Sequence, residues 1–210
     1  MISFDKHKAE AANTWTHAIS LGLFCIMAFF LLQKGWKHDS FLLNFSLIVF
    51  CVSEILMFLS STLYHIVTDA KVKHKLRYFD HCAIYISIAG SYTPILLWTI
   101  GSTLGNICFA IIWFIALAGI CYKLMALGKH PRLSLAIYLA MGWLVVFIAK
   151  PVFENFPAIS LWFLLAEGIC FSLGTFFFWK DEEHTYYHAI WHIFIYGGCL
   201  CHWLVLWFLI

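Results

Sequence analysis

Apolar residues occur in this chain as seven long runs, with little alternation between apolar and polar positions. The runs cover roughly Trp15 to Leu32, Phe41 to Ile66, Phe79 to Ile100, Leu104 to Tyr122, Leu133 to Ala149, Ile159 to Trp179 and His188 to Ile210. Each is close to the roughly 17 to 25 residues that a helix needs to cross hydrocarbon. The breaks between them read QKGWKHD, TDAKVKHKLR, GSTLGN, KLMALGKHPR, KPVFENFP and KDEEHTYY. These are short polar connections, with Gly or Pro where a helix should stop. A transmembrane barrel would alternate apolar and polar residues, whereas these runs are apolar on most faces. The pattern predicts an all-α fold, a seven-transmembrane helix bundle forming a single integral membrane domain over residues 1–210.

Composition agrees: 63% of the 210 residues are hydrophobic, 19% aromatic and 11% charged, a balance that excludes a water-soluble domain. The leading segment MISFDKHKAEAAN has no apolar core before a small-residue cleavage site, so it is expected to remain as a short interfacial lead-in. The eight cysteines lie in or beside apolar runs and read as buried small hydrophobes. Cys199 and Cys201, two apart on a helix, point to different faces and make no local metal clip. A net charge of +2 is spread among loops and implies no nucleic-acid partner.

Those loop charges do orient the bundle. With a cytoplasmic N-terminus, the inner loops hold Lys6, Lys8, Lys71, Lys73, Lys75, Arg77, Lys123, Lys129, Arg132 and Lys180, and the outer loops hold only Lys34, Lys37 and Lys150. Seven spans then put the C-terminus outside.

Under this topology the end of span two (His65), the first turn of span three (Asp80) and the start of span seven (His188 and His192) converge on the inner leaflet. His188 and His192 are spaced i, i+4, so their rings leave one helix face about 6 Å apart along the axis. With a third nitrogen from His65 they could grip one ion. Such a set favours Zn²⁺ with an open fourth position, the mark of a catalytic site. A hydrogen-bonded cluster without metal is the alternative. Asp80 has three readings: a partner for a ligand imidazole, a proton acceptor for water, or an ion pair with Arg77. Ser61 lies one turn before His65, and Glu54 lies on the same face about 16 Å further into the bilayer. An ionisable residue at mid-helix costs roughly 2.5 to 3.5 kcal/mol, so Glu54 should face the bundle interior. His202 is a further intramembrane polar group, and Glu167 has no evident role. His17, His74, His81, His130 and His184 read as interfacial anchors or donors to carbonyls.

NTWTHAIS, SEILMFLSSTLYH, RYFDHCAIYISIAGSYTP, MGW at Met141, SLGTFFF at Ser172 and HAIWHIFIYGGCLCHW occur in this order along nearly the whole chain. The set resembles the haemolysin III branch, the bacterial one, of the progestin and adipoQ receptors, a family related to alkaline ceramidases. The resemblance implies a seven-helix bundle in a bacterial inner membrane, with zinc held by His65, His188 and His192. It also implies that Asp80 and Ser61 are the acid and hydroxyl beside the ion. The chain departs from the family pattern at Ala83, where glycine is more usual, and at Glu167, where a small or apolar residue is.

Three functions follow as expectations. The first is a zinc-dependent hydrolase of lipid amide or ester bonds acting in membrane lipid homeostasis, with lipids as partners. The second is a sensor of membrane state braced by a structural zinc. The third is a cytolysin of the kind the family name implies, which a resident seven-span protein supports poorly.

Overall fold

The computed structural model describes residues 2–127 and 129–210. Its elements are α1 (Ile2–Gly35), α2 (Phe41–Ile66), α3 (Ala70–Pro94), α4 (Thr103–Ala126), α5 (Pro131–Gly142), α6 (Ala149–Asn155), α7 (Ala158–Trp179) and α8 (Tyr187–Leu209). Among the described residues there is no strand. A π-helical turn, Ile95–Ile100, prolongs α3, and a 3-10 turn, Trp143–Ile148, joins α5 to α6. Seven segments are long and apolar enough to cross a membrane, the fifth being the composite Arg132–Asn155. The protein is a multi-pass membrane protein with an all-helical fold.

Helix ends differ from the apolar runs in three places, for a common reason: hydropathy marks the hydrocarbon, whereas capping marks the helix. α1 begins well before Trp15, so the polar lead-in is helical. α3 starts at Ala70 instead of Phe79, because the Asp69 carboxylate accepts from Lys71 N and Val72 N at 2.9 Å and caps a basic first turn. Span five continues past Ala149 to Asn155, since Pro151 falls in the first turn of α6, where a missing N–H is tolerated. Span three stops where Gly101 takes φ 54°, a left-handed conformation suited to glycine.

α1, α2, α3 and α8 form the packed half of the molecule, with α7 laid against α8 and α4 against α3. Phe24, Leu31, Leu43, Leu47, Phe50, Phe58 and Tyr85 are fully buried between them. Span five packs only lightly on its neighbours. Large apolar side chains such as Phe41, Phe114, Phe147 and Trp162 project outward, as expected where the solvent is lipid. The eight cysteines are free, and only Cys51 and Cys199 are buried; the expectation that all would be buried fails because Cys25 and Cys121 sit on the outer, lipid-side surface.

The irregular backbone of span five leaves polar groups that hydrocarbon cannot satisfy. Tyr92 of α3 answers this: its hydroxyl donates to Gly142 O at 2.7 Å and accepts from Val145 N at 2.9 Å. Tyr92→Phe removes both bonds and leaves two backbone groups without partners. It should destabilise the fold by about 1–3 kcal/mol, read as a lower unfolding midpoint in detergent, with span five the first segment to gain hydrogen-exchange sensitivity.

Candidate metal centre and the cavity beside it

His65, in the last turn of α2, meets His188 and His192, in the first two turns of α8. Ring centroids lie 5.1 Å apart for His65–His188, 5.2 Å for His65–His192 and 4.7 Å for His188–His192. One nitrogen from each falls within 4.8 Å of the other two. Three imidazoles from two helices remote in sequence therefore share one small volume, as a metal site requires.

The hydrogen bonds around the rings decide which nitrogen each one offers. His65 Nδ1 bonds Glu10 Oε2 at 2.8 Å, and His188 Nδ1 bonds Asp181 Oδ2 at 2.8 Å. A carboxylate accepts, so Nδ1 is the donor in both rings. His192 Nδ1 faces Asn13 O at 3.3 Å and Thr16 Oγ1 at 3.0 Å. A backbone carbonyl only accepts, and the Thr16 hydroxyl itself donates to Asn13 O at 2.9 Å, so this Nδ1 is a donor too. All three rings then carry the lone pair on Nε2. The Nε2 atoms of His65 and His192 are buried without a hydrogen-bond partner, and a lone pair directed at an ion is what such a nitrogen supplies. The donor set fits a metal.

Neighbouring elements hold these partners in turn. Lys73, near the start of α3, donates to Glu10 Oε2 at 3.2 Å and to Tyr64 O at 3.1 Å, tying α1, α2 and α3 together at this end. Ser61 is buried one turn before His65. Asp80 does not pair with Arg77 among the described residues; its Oδ2 lies 3.1 Å from His81 Nδ1, out of line for a hydrogen bond. The role of orienting a ligand imidazole falls to Glu10 and Asp181, which leaves Asp80 facing the cavity.

That cavity, about 560 Å³ in volume, runs from Ser61, Asp80 and His17 to Glu54, Glu167 and His202. Its walls are mostly apolar and come from α3, span five, α7 and α8. Leu165, Ile169 and Leu173 of the wall are half exposed, so it opens sideways between span five and α7. Glu54 is buried in the interior, as its position predicts, and accepts from Ser87 Oγ at 2.7 Å and Cys199 Sγ at 3.1 Å.

Reading the sequence missed several groups. His17 is no interfacial anchor: it is buried and stacked on His192 at 3.6 Å, with neither ring nitrogen bonded. Glu10, Asn13 and His17 recur at i, i+3 and i+7, one face of a helix, which was a usable signal had the lead-in been read as helical. Asp181 lies in the turn before α8, where periodicity says nothing. Glu167 bonds His202 Nδ1 at 2.9 Å. His74, His130 and His184 are exposed.

Seven spans with polar groups converging at one end define a class of helical membrane proteins, and similarity places the chain within it. Residues 4–203 match the family described as Haemolysin-III related. The chain is 40% identical over 192 residues to the hemolysin-3 homolog of Bacillus subtilis (strain 168), covering 91% of this chain and 89% of that protein. It is 39% identical over 192 residues to hemolysin-3 of Bacillus cereus, covering 91% and 87%. The human monocyte to macrophage differentiation factor is 28% identical over 206 residues, covering 94% and 83%. No solved structure gives a significant match. The chain belongs to the haemolysin III-related family.

If the carboxylates fix the tautomers, Asp181→Asn and Glu10→Gln should each weaken divalent-metal binding about 10- to 100-fold. His188→Ala should abolish stoichiometric binding. Metal content after dialysis against graded chelator, measured on folded protein, checks both.

Proposed function

We propose that His65, His188 and His192 hold zinc, and that the protein hydrolyses an amide or ester bond of a membrane lipid in the service of membrane lipid homeostasis. Three imidazole nitrogens with no sulfur ligand suit zinc, with the fourth position left for chemistry. The observation that carries the reading is that buried, unpartnered imidazole nitrogens sit beside a mostly apolar cavity open toward lipid, joined to it by two lining residues, Ser61 one turn before His65 and His17 stacked on His192. A zinc ion held there would supply Lewis acidity toward a carbonyl and a nucleophile at neutral pH.

This chain's own groups would do the rest. The apolar walls take the acyl chain from the bilayer and keep bulk water from the reacting carbonyl. The Ser61 hydroxyl donates to the carbonyl oxygen as negative charge builds there. One Asp80 carboxylate oxygen takes the proton released as water adds to the acyl carbon, then returns it to the departing amine or alcohol as the C–N or C–O bond breaks. The products are a fatty acid and the freed headgroup fragment. Glu10 and Asp181 hold the imidazoles without touching substrate. The distribution of lysines and arginines supports a cytoplasmic position for this end of the bundle and an external C-terminus. An alkaline phosphatase fused at the C-terminus should then be active.

Purified protein carrying one zinc per chain should release fatty acid from ceramide or another acylated lipid. Asp80→Asn should lower turnover at least about 100-fold, and Ser61→Ala by a similar factor, with zinc content and thermal midpoint unchanged. Absence of turnover by fully loaded wild type across a panel of acylated lipids would overturn the hydrolase reading in favour of a sensor braced by its ion.

A further inference from the structure

The end of the cavity away from Ser61 and Asp80 carries a second group with an unmet bond. His202, on α8, is 3% exposed and lines the cavity. Glu167 of α7 holds its Nδ1 at 2.9 Å, so the ring cannot turn freely. Phe50 packs against it from α2, with centroids 5.1 Å apart. Its Nε2 is buried without a hydrogen-bond partner. The Ser91 carbonyl of α3 faces the ring but falls outside hydrogen-bond geometry. Glu54 is engaged by Ser87 and Cys199 and does not meet this nitrogen. A buried ring nitrogen without a hydrogen bond carries a desolvation cost, so a ligand that reaches it with a polar group gains an advantage that a plain hydrocarbon chain lacks.

We propose that His202, oriented by Glu167, forms a second polar subsite that recognises a hydroxyl on the chain of a lipid lying in the cavity. With Nδ1 donating to a carboxylate, Nε2 offers a lone pair when the ring is neutral and an N–H when it is charged. A hydroxyl donates and accepts, so it satisfies either state, whereas a carbonyl satisfies only the second. The spacing sets where on the chain that hydroxyl belongs. His202 is ten residues beyond His192 on α8, or ~15 Å at 1.5 Å per residue. This is roughly half of the ~30 Å hydrocarbon layer, the depth of one leaflet, so the preferred ligand is an acyl chain oxygenated well along its length, not beside its head.

The inference rests on the reading that the cavity takes an acyl chain, but it needs no turnover. Its test is equilibrium binding of ricinoleic acid and of oleic acid, which differ by one mid-chain hydroxyl, to metal-loaded protein in nanodiscs. Quenching of cavity tryptophans or native mass spectrometry gives the affinities. Ricinoleic acid should bind roughly tenfold tighter, and an oleic acid hydroxylated beside its carboxylate should show no such gain. His202→Phe, which keeps the ring's bulk, should erase the preference while oleic acid binds as before. Glu167→Gln should reduce it. Equal affinity of wild type for ricinoleic and oleic acids would overturn the subsite alone, leaving a water or no group against Nε2. Failure of both acids to bind would overturn the acyl-chain reading and the subsite together. The wild-type comparison decides the matter even if His202→Phe fails to fold.

Discussion

An imidazole inside a hydrocarbon layer has no water to settle its tautomer, so a carboxylate bonded to Nδ1 fixes both its orientation and the nitrogen it presents. This protein uses that pairing three times: Glu10 with His65, Asp181 with His188, and Glu167 with His202. Asn13 and Thr16 perform the same service for His192 without a charge. In every case the acceptor comes from a different segment than the ring, so the bundle cannot assemble around the histidines without also setting their chemistry. The family resemblance concerns the rings themselves; the acceptors explain why those rings can serve as ligands at all.

How much of this was legible in the sequence follows from the length scale of each signal. A run of about twenty apolar residues is dense and local, and the seven spans followed from it. The His188–His192 pair sits on one helix turn, and the positive charges marked which ends of other helices share its leaflet, which brought in His65. Glu10 and Asp181 were different. Both lie in segments whose charge read as ordinary solvation, and their function exists only through contacts 55 and 7 residues away, the second across a non-helical turn. His17 was misread because a single histidine near an interface carries no pattern of its own. Burial of both nitrogens beside His192 becomes visible only when α1, α2 and α8 are packed together.

Span five shows the same constraint acting on the main chain. A 3-10 turn at membrane depth is tolerated only when something meets the displaced backbone groups, and the Tyr92 hydroxyl meets two of them. The irregularity has a consequence for the cavity, whose wall includes Trp143, Val145 and Val146. A straight helix closely packed on α7 would close the lateral opening. The lightly packed composite span leaves that side of the cavity open, while Tyr92 of α3 holds its backbone. The opening toward lipid and the tyrosine lock are therefore two sides of one packing compromise.

The cavity's two poles differ in a way that orders its contents. At one end, His17, Ser61 and Asp80 line the cavity beside the cluster of His65, His188 and His192. Apolar wall follows for roughly half the hydrocarbon depth, and then a single imidazole nitrogen waits between Glu167, Phe50 and the Ser91 carbonyl. Glu54 lines the same part of the cavity and is already satisfied by Ser87 and Cys199, so the unmet bond there belongs to His202 Nε2. A fully charged floor would repel any acyl chain, and a fully apolar one would accept all chains alike. Glu167, by bonding Nδ1, is what keeps the His202 ring from rotating freely and directs Nε2.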